Sequence, residues 1–237
     1  MSLTKSKGNM YEWVTHTHSH LLGKCPHGCH YCYVQAMAKR FPVMKERYSG
    51  ELRLDPKSLR VDYGEDKTIF IDHLNDLFAA AVLPEFIDLV VGHCAAFPKN
   101  AYVFQSKNPG KMNEYVMPLR NRVKGLILGT TIESNRWHEC MGNSLSPFRR
   151  TIGIEKCRHN FETFITIEPI LDFDLKEFCE MLRFARPDFI NIGADSKGHG
   201  LDEPSYDKIM ALVEDMNYAG IEIRKKVNLD RLKGREA

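Results

Sequence analysis

Cys25, Cys29 and Cys32 fall within the run Cys25-Pro26-His27-Gly28-Cys29-His30-Tyr31-Cys32. Three thiolates at C-x3-C-x2-C spacing can converge on one soft metal centre. A cube of iron and sulfide is ordinarily held by four cysteines. No fourth cysteine is near in sequence, so three protein ligands would leave one iron open to a ligand that is not protein. The competing chemistry is zinc. Three cysteines with His27 or His30 can close a tetrahedral structural site, although such sites commonly join two separated ligand pairs rather than crowding every donor into one loop. A further zinc arrangement takes Cys25 with His16, His18 and His20 and would serve a hydrolase or a binding module.

The aromatic Tyr31 just before the last cysteine makes the motif similar to C-x3-C-x-aromatic-C, the signature of the radical S-adenosylmethionine superfamily. The resemblance implies a 4Fe-4S cluster on Cys25, Cys29 and Cys32 whose open iron is chelated by the amino and carboxylate groups of S-adenosylmethionine. It implies reductive cleavage of that cofactor to a 5'-deoxyadenosyl radical, hydrogen abstraction from a substrate, and an external electron donor of the flavodoxin or ferredoxin type.

Composition narrows the surroundings. The 237 residues are 43% hydrophobic and 27% charged, ordinary values for a globular protein. No apolar run approaches the roughly 20 residues that span a bilayer. The first residues lack the apolar core of a signal peptide, so the expected place is the cytoplasm, with no membrane partner. Cys94, Cys140, Cys157 and Cys179 are scattered and read as buried small hydrophobes or reduced surface thiols. A net charge of +2 does not by itself identify a polyanion-binding protein.

The elements that must position the cysteine loop follow from periodicity. Residues 11–20 alternate as a strand does, which would place His16, His18 and His20 on one face. Residues 33–41 read as a helix stopped by Pro42. Apolar or β-branched runs then recur at 68–72, 101–105, 125–131, 163–168, 188–193 and, more weakly, 220–224. Their starts lie about 25 to 40 residues apart, room for one crossover helix each. Helical spacing is evident over 84–91, 175–185 and 204–218. The expected fold is α/β: a partial parallel (β/α)6-type barrel, TIM-barrel-like, a single domain over 1–237. Residues 1–10 and the C-terminal tail are expected to be loose, and 42–67 to be an insertion or short hairpin. The superfamily's partial six-unit barrel implies the same.

In parallel barrels the reacting groups gather at the carboxyl ends of strands. The candidates are therefore Asp72 to Phe78, Gln105 to Lys107, Thr130 to Arg136, Glu168 with Pro169, and Gly193 to Gly198. Helix caps and turns explain some of these residues, but Glu168 on an apolar strand and Lys107 fit that account poorly. Asn75-Asp76-Leu77-Phe78, Gln105-Ser106-Lys107-Asn108-Pro109, Glu133-Ser134-Asn135, Ile167-Glu168-Pro169-Ile170-Leu171 and Gly193-Ala194-Asp195-Ser196 resemble a phage-associated branch of the superfamily whose function is unknown. The Gly-Gly-Glu segment usual in the superfamily is missing, and residues 72–76 stand in its place.

The resemblance implies Tyr31 beside the adenine. By chemistry, Asp72, Asn75 or Asp76 would accept from the ammonium, and Lys107, Arg136 or Arg149 would pair with the carboxylate. Thr131, Glu133 or Ser134 would bind the ribose, Glu168 would face the cofactor, and Gly193 would let backbone approach the adenine. A nucleotide or nucleic-acid base as substrate is implied by the phage-branch resemblance and by the basic Lys225, Lys226, Arg231, Lys233 and Arg235, which can equally be a solvated helix end.

Overall fold

The computed structural model describes residues 3–8 and 10–234. In chain order its elements are β1 (Thr4–Lys5), β2 (His16–His18), β3 (Leu21–Leu22), α1 (Tyr33–Arg40), α2 (Pro42–Arg47), β4 (Arg53–Leu54), β5 (Thr68–Ile71), α3 (Pro84–Ala95), β6 (Ala101–Gln105), α4 (Pro109–Val116), β7 (Gly125–Thr131), α5 (Pro147–Cys157), β8 (Glu162–Ile167), α6 (Leu175–Ala185), β9 (Phe189–Ile192), α7 (Tyr206–Tyr218) and β10 (Glu222–Lys225). Eight strands form one sheet in the order β1-β2-β5-β6-β7-β8-β9-β10. All its pairings are parallel except β1 with β2. From β5 onward a single α-helix bridges each successive pair, as parallel pairing requires. The fold is thus mixed α/β with a mostly parallel central sheet. Among the described residues no helix is long and apolar enough to cross a membrane.

Both faces of the sheet are buried, which is why its strands read as continuous apolar runs. Alternate residues Ile69, Ile71, Tyr102, Phe104, Ile165, Ile167, Ile190 and Ile192 join the core beneath the helices. Phe70, Val103, Phe164 and Phe189 face the other way and pack with Tyr11 and Val14. Each such side chain taken fully out of water contributes about 1.5–3 kcal/mol.

The second face is concave. The Tyr11 ring lies 6.1 Å from Phe70 on β5 and 5.3 Å from Phe164 on β8. Those strands are three spacings apart, roughly 14 Å in a flat sheet, so the sheet curls around residues 11–14. Gly129 allows this packing, because a Cβ there would fall 2.2 Å from the Phe164 ring.

Several expectations are corrected. Only His16–His18 of residues 11–20 is strand; Tyr11 and Trp13 stack at 5.3 Å and fill the concave face instead. Pro42 ends α1 but opens α2, a first-turn position that proline suits. Within 42–67 there is no self-contained hairpin: β4 pairs antiparallel with the distant β3. Thr4–Lys5, in the segment expected to be loose, is an edge strand, whereas the weakly expected strand at 220–224 is present at the other edge as Glu222–Lys225. Arg235 lies outside the described residues.

Two helices that periodicity did not single out, α4 and α5, lie against each other through Gly153, where a Cβ would stand 2.7 Å from Pro109 Cγ. A glycine inside α5 reads locally as a weak helix position. Only the neighbouring helix explains it.

Candidate active site

The cysteine loop is held by the ends of the strands around it. Asp72, just beyond β5, has φ 52°, a left-handed conformation that aspartate tolerates. Its Oδ1 accepts from the backbone N–H groups of His20 at 2.7 Å and Leu21 at 2.9 Å, and its Oδ2 lies 3.1 Å from His20 Nδ1. These bonds set the path of the chain into the loop. Asn75 Nδ2 donates to the Gly23 carbonyl at 3.1 Å, and His27 Nε2 donates to Asp76 Oδ2 at 2.6 Å. From the other side, the Asn143 N–H donates to the His27 carbonyl at 2.7 Å and the His30 N–H to the Cys140 carbonyl at 2.8 Å. Gly142, at φ 62°, makes this approach possible: a Cβ would fall 2.1 Å from the His27 carbonyl oxygen. Cys32 is the residue before α1, so the third thiol sits at the start of a helix.

Cys29 is buried and Cys25 and Cys32 are half-buried; all three are free thiols. Burial, then Asp76 and the two neighbouring thiols, pushes Cys25 up to about 12, and burial raises Cys32 as well. Among the described residues no three His, Cys, Asp or Glu side chains are arranged around a single metal ion. Three thiols in one loop are the donor set that an iron–sulfur cube takes.

The histidine arrangement is also resolved. His16 Nδ1 lies 2.9 Å from Thr15 Oγ1, His18 Nε2 donates to the Ser58 carbonyl at 3.1 Å, and His20 Nε2 lies 3.0 Å from His93 Nδ1 and 3.1 Å from the Tyr63 hydroxyl. His18 and His20 pack with Tyr63 and His93 in a buried cluster.

Beside the loop stands a charged cluster. Tyr31 donates its hydroxyl proton to Glu133 Oε1, which also accepts from Lys107 Nζ, and Lys107 Nζ donates to the Tyr31 oxygen at 2.7 Å. Arg150 Nη1 donates to Glu133 Oε2 at 2.7 Å and to the Thr131 carbonyl at 2.5 Å. Glu133 and Arg150 are both wholly buried. Burial alone would raise the Glu133 carboxyl, but Arg150 and Lys107 outweigh it and hold the group well below the usual carboxylate range. Glu133 thus faces two cations, Lys107 and Arg150. Asp76 orders Lys107 from the backbone side: its Oδ2 accepts the Lys107 N–H at 2.8 Å, and its Oδ1 the Ser106 hydroxyl at 2.7 Å. Burial would raise Asp76 too, but His27, the Ser106 hydroxyl and the Lys107 N–H together more than offset it.

The remaining expected residues sort into other groups. Thr131 Oγ1 accepts from Gln105 Nε2 at 3.0 Å, and Tyr11 donates to Gln105 Oε1 at 2.9 Å, on the concave face. Glu168 belongs there as well, with Lys226 Nζ 2.7 Å from Oε2 and Asn228 Nδ2 donating to Oε1 at 2.8 Å. At Gly193 a Cβ would lie 2.7 Å from Asn228 Oδ1 and 3.1 Å from Glu168, so only glycine lets these two side chains lie against this strand end. Ser134 donates to the Asp172 carbonyl at 2.7 Å, and Arg136 pairs with Asp172 and Asp174, so both build the turn before α6. Arg149 is exposed on α5. Among the basic tail residues, Arg231 pairs with Glu203 and Lys233 with Asp230.

Sequence reasoning missed Arg150 and Cys140. Arg150 adjoins the named Arg149, and only helical phase turns one inward. Cys140 lies in the 3-10 turn Glu139–Met141, close enough to Glu133 and Cys29 that, after burial, they raise its thiol.

A family model described as "Protein of unknown function (DUF5131)" matches residues 9–200. No curated protein matches the sequence. Among solved structures, a spore photoproduct lyase variant is similar at a TM-score of 0.60 and 12% identity, over 94% of this chain and 80% of that one. Another, with AdoMet and dinucleoside spore photoproduct bound, has a TM-score of 0.52 and 13% identity over 89% of this chain, which spans 63% of that one. At these identities the likeness is one of fold.

Proposed function

We propose that this chain, which belongs to the DUF5131 family of proteins of unknown function, is a radical S-adenosylmethionine enzyme acting as one catalytic unit, with a nucleotide or nucleic-acid base as substrate. The observation that carries the reading is the three-thiol loop clamped beside Lys107 and Arg150, which meet at Glu133. When bound, a 4Fe-4S cluster and S-adenosylmethionine supply reductive cleavage to a 5'-deoxyadenosyl radical that takes hydrogen from the substrate.

The residues of the chain do the holding and orienting. Cys25, Cys29 and Cys32 would ligate iron as thiolates, since a thiol must give up its proton to bind metal. Lys107, with Arg150 behind Glu133, provides the charge that a methionine carboxylate would neutralise, and Tyr31 lies against the same ligand. Asp72, Asn75 and Asp76 act as positioning residues for the loop and for Lys107. Thr131 and Glu168 face the ligand from the concave side, where Tyr11 and the Phe70, Phe164 and Phe189 rings exclude water from below. An external flavodoxin- or ferredoxin-type protein supplies the electron. The fold shared with a lyase whose structure holds AdoMet and a dinucleoside supports the cofactor and the substrate class.

Anaerobically reconstituted, reduced protein given S-adenosylmethionine should release 5'-deoxyadenosine and methionine, detected by chromatography, and Cys32→Ala should release neither. A cluster-replete sample that forms no 5'-deoxyadenosine, with nucleosides and oligonucleotides supplied, would sink the reading.

A further inference from the structure

The concave face carries one break in an otherwise satisfied polar row. Tyr11 donates to Gln105, Gln105 donates to Thr131, and Thr166 Oγ1 lies 2.6 Å from the Tyr11 hydroxyl, which accepts its proton. The next position across the sheet is Asn191, in register with Thr166. Residues two apart on a strand share a face. Asn191 therefore lies between Phe189, which stacks on Phe164 in the floor, and Gly193. Its side chain is 4% exposed, and its Nδ2 has no hydrogen-bond partner among the described residues.

A second unpaired atom lies one row above. Asn228 is oriented by two donations from Nδ2, to Glu168 Oε1 at 2.8 Å and to the Ala194 carbonyl at 2.7 Å. Its Oδ1, which stands over Gly193, is buried and unpartnered. The amide cannot turn to hide this oxygen without giving up both bonds. A fixed donor and a fixed acceptor thus stand in adjacent rows on one face. Buried polar groups are ordinarily paired, so two orphans of opposite sense on one wall mark a ligand edge with an acceptor beside a donor. The nearby charges of Glu168 and Lys226 already pair with each other, so the ligand edge is neutral.

We infer that Asn191 Nδ2 and Asn228 Oδ1 form a subsite for the hydrogen-bonding edge of a nucleobase in the substrate. Every nucleobase presents an adjacent donor and acceptor, and the aromatic floor below suits a flat ring. The inference rests on the radical reading above and names the part of the substrate that this wall holds. The adenine of the cofactor has the same chemistry, and the test separates the two sources.

The test is calorimetric titration of the reconstituted protein, with S-adenosylmethionine present, using dinucleoside monophosphates of thymine, guanine, adenine and cytosine. For thymine and guanine the N3- or N1-methylated counterparts, which lack the ring N–H donor beside the carbonyl, are included. Iron content, the cluster spectrum and S-adenosylmethionine affinity are measured on the same samples. Wild-type protein should bind at least one dinucleoside and, if it takes thymine or guanine, disfavour the methylated form about tenfold. Asn191→Asp, which keeps the shape and removes the donor, and Asn191→Ala should each weaken dinucleoside binding about tenfold, with cofactor affinity, iron and melting temperature unchanged. Equal dinucleoside binding in wild type and both variants overturns the inference. So does a loaded wild type that binds no dinucleoside, or a fall in S-adenosylmethionine affinity in the variants, which would assign the wall to the cofactor's adenine. A wild type that assembles no cluster and binds no S-adenosylmethionine overturns the radical reading itself.

Discussion

Glu133, two residues beyond the end of β7, and Arg150, in the first turns of α5, meet at 2.7 Å with neither side chain exposed to water. Taking one partner from such a pair leaves an uncompensated buried charge. The pair therefore ties the wall that carries Lys107 and Tyr31 to the helix behind it.

Arg150→Met should lower unfolding free energy by about 3–5 kcal/mol, and the double variant Glu133→Gln/Arg150→Met should recover most of the loss. Chemical denaturation of the three proteins checks this. Equal stability of the single and double variants would contradict the account. Because Glu133 is depressed in the folded state, its contribution is present above its unfolded value near about 4.3 and is lost as pH falls below it. That acid-side loss should be smaller in Glu133→Gln.

Reconstituted protein should contain about four irons and four sulfides per chain, the content of one cube. Replacing Cys25, Cys29 or Cys32 with alanine should abolish the brown colour, whereas Cys179→Ala, on α6, should retain it. Full iron and sulfide in the triple variant would refute the ligand assignment.

Lys107→Met should weaken S-adenosylmethionine binding by about 1.5–3 kcal/mol, the range for a hydrogen bond to a charged group. The cluster spectrum should be preserved, since Lys107 is no iron ligand. Titration calorimetry reads the affinity, and an unchanged value would return Lys107 to a purely structural pairing with Glu133.

Gly142→Ala places a methyl group 2.1 Å from the His27 carbonyl at a left-handed backbone position. The cysteine loop must shift to accommodate it. Iron incorporation should fall while β-sheet content by circular dichroism stays as in wild type; normal iron loading would show that the loop is not held from that side.

The sequence by itself determined what depends on neighbours along the chain. The C-x3-C-x2-C spacing, strands at 101–105 and 125–131 and helix 175–185 are written in adjacent residues, and the structure has those three elements at the expected bounds. The cysteine motif and the strand ends single out Tyr31, Lys107 and Glu133 one by one, for an adenine, a carboxylate and a ribose; that the three bond to one another is decided by packing. Tertiary structure alone decided which candidates touch. The folding of residues 11–14 into the concave face depends on rings from β5, β8 and β9 that meet only when the sheet curls. Arg150 rather than Arg149 points inward because of the helical phase of α5 against β7. Gly153 and Gly193 make sense only beside Pro109, Asn228 and Glu168. The unpaired state of Asn191 is a property of everything around it, and no local pattern encodes it: satisfaction of a buried polar atom is settled by partners far along the chain, brought near only by packing.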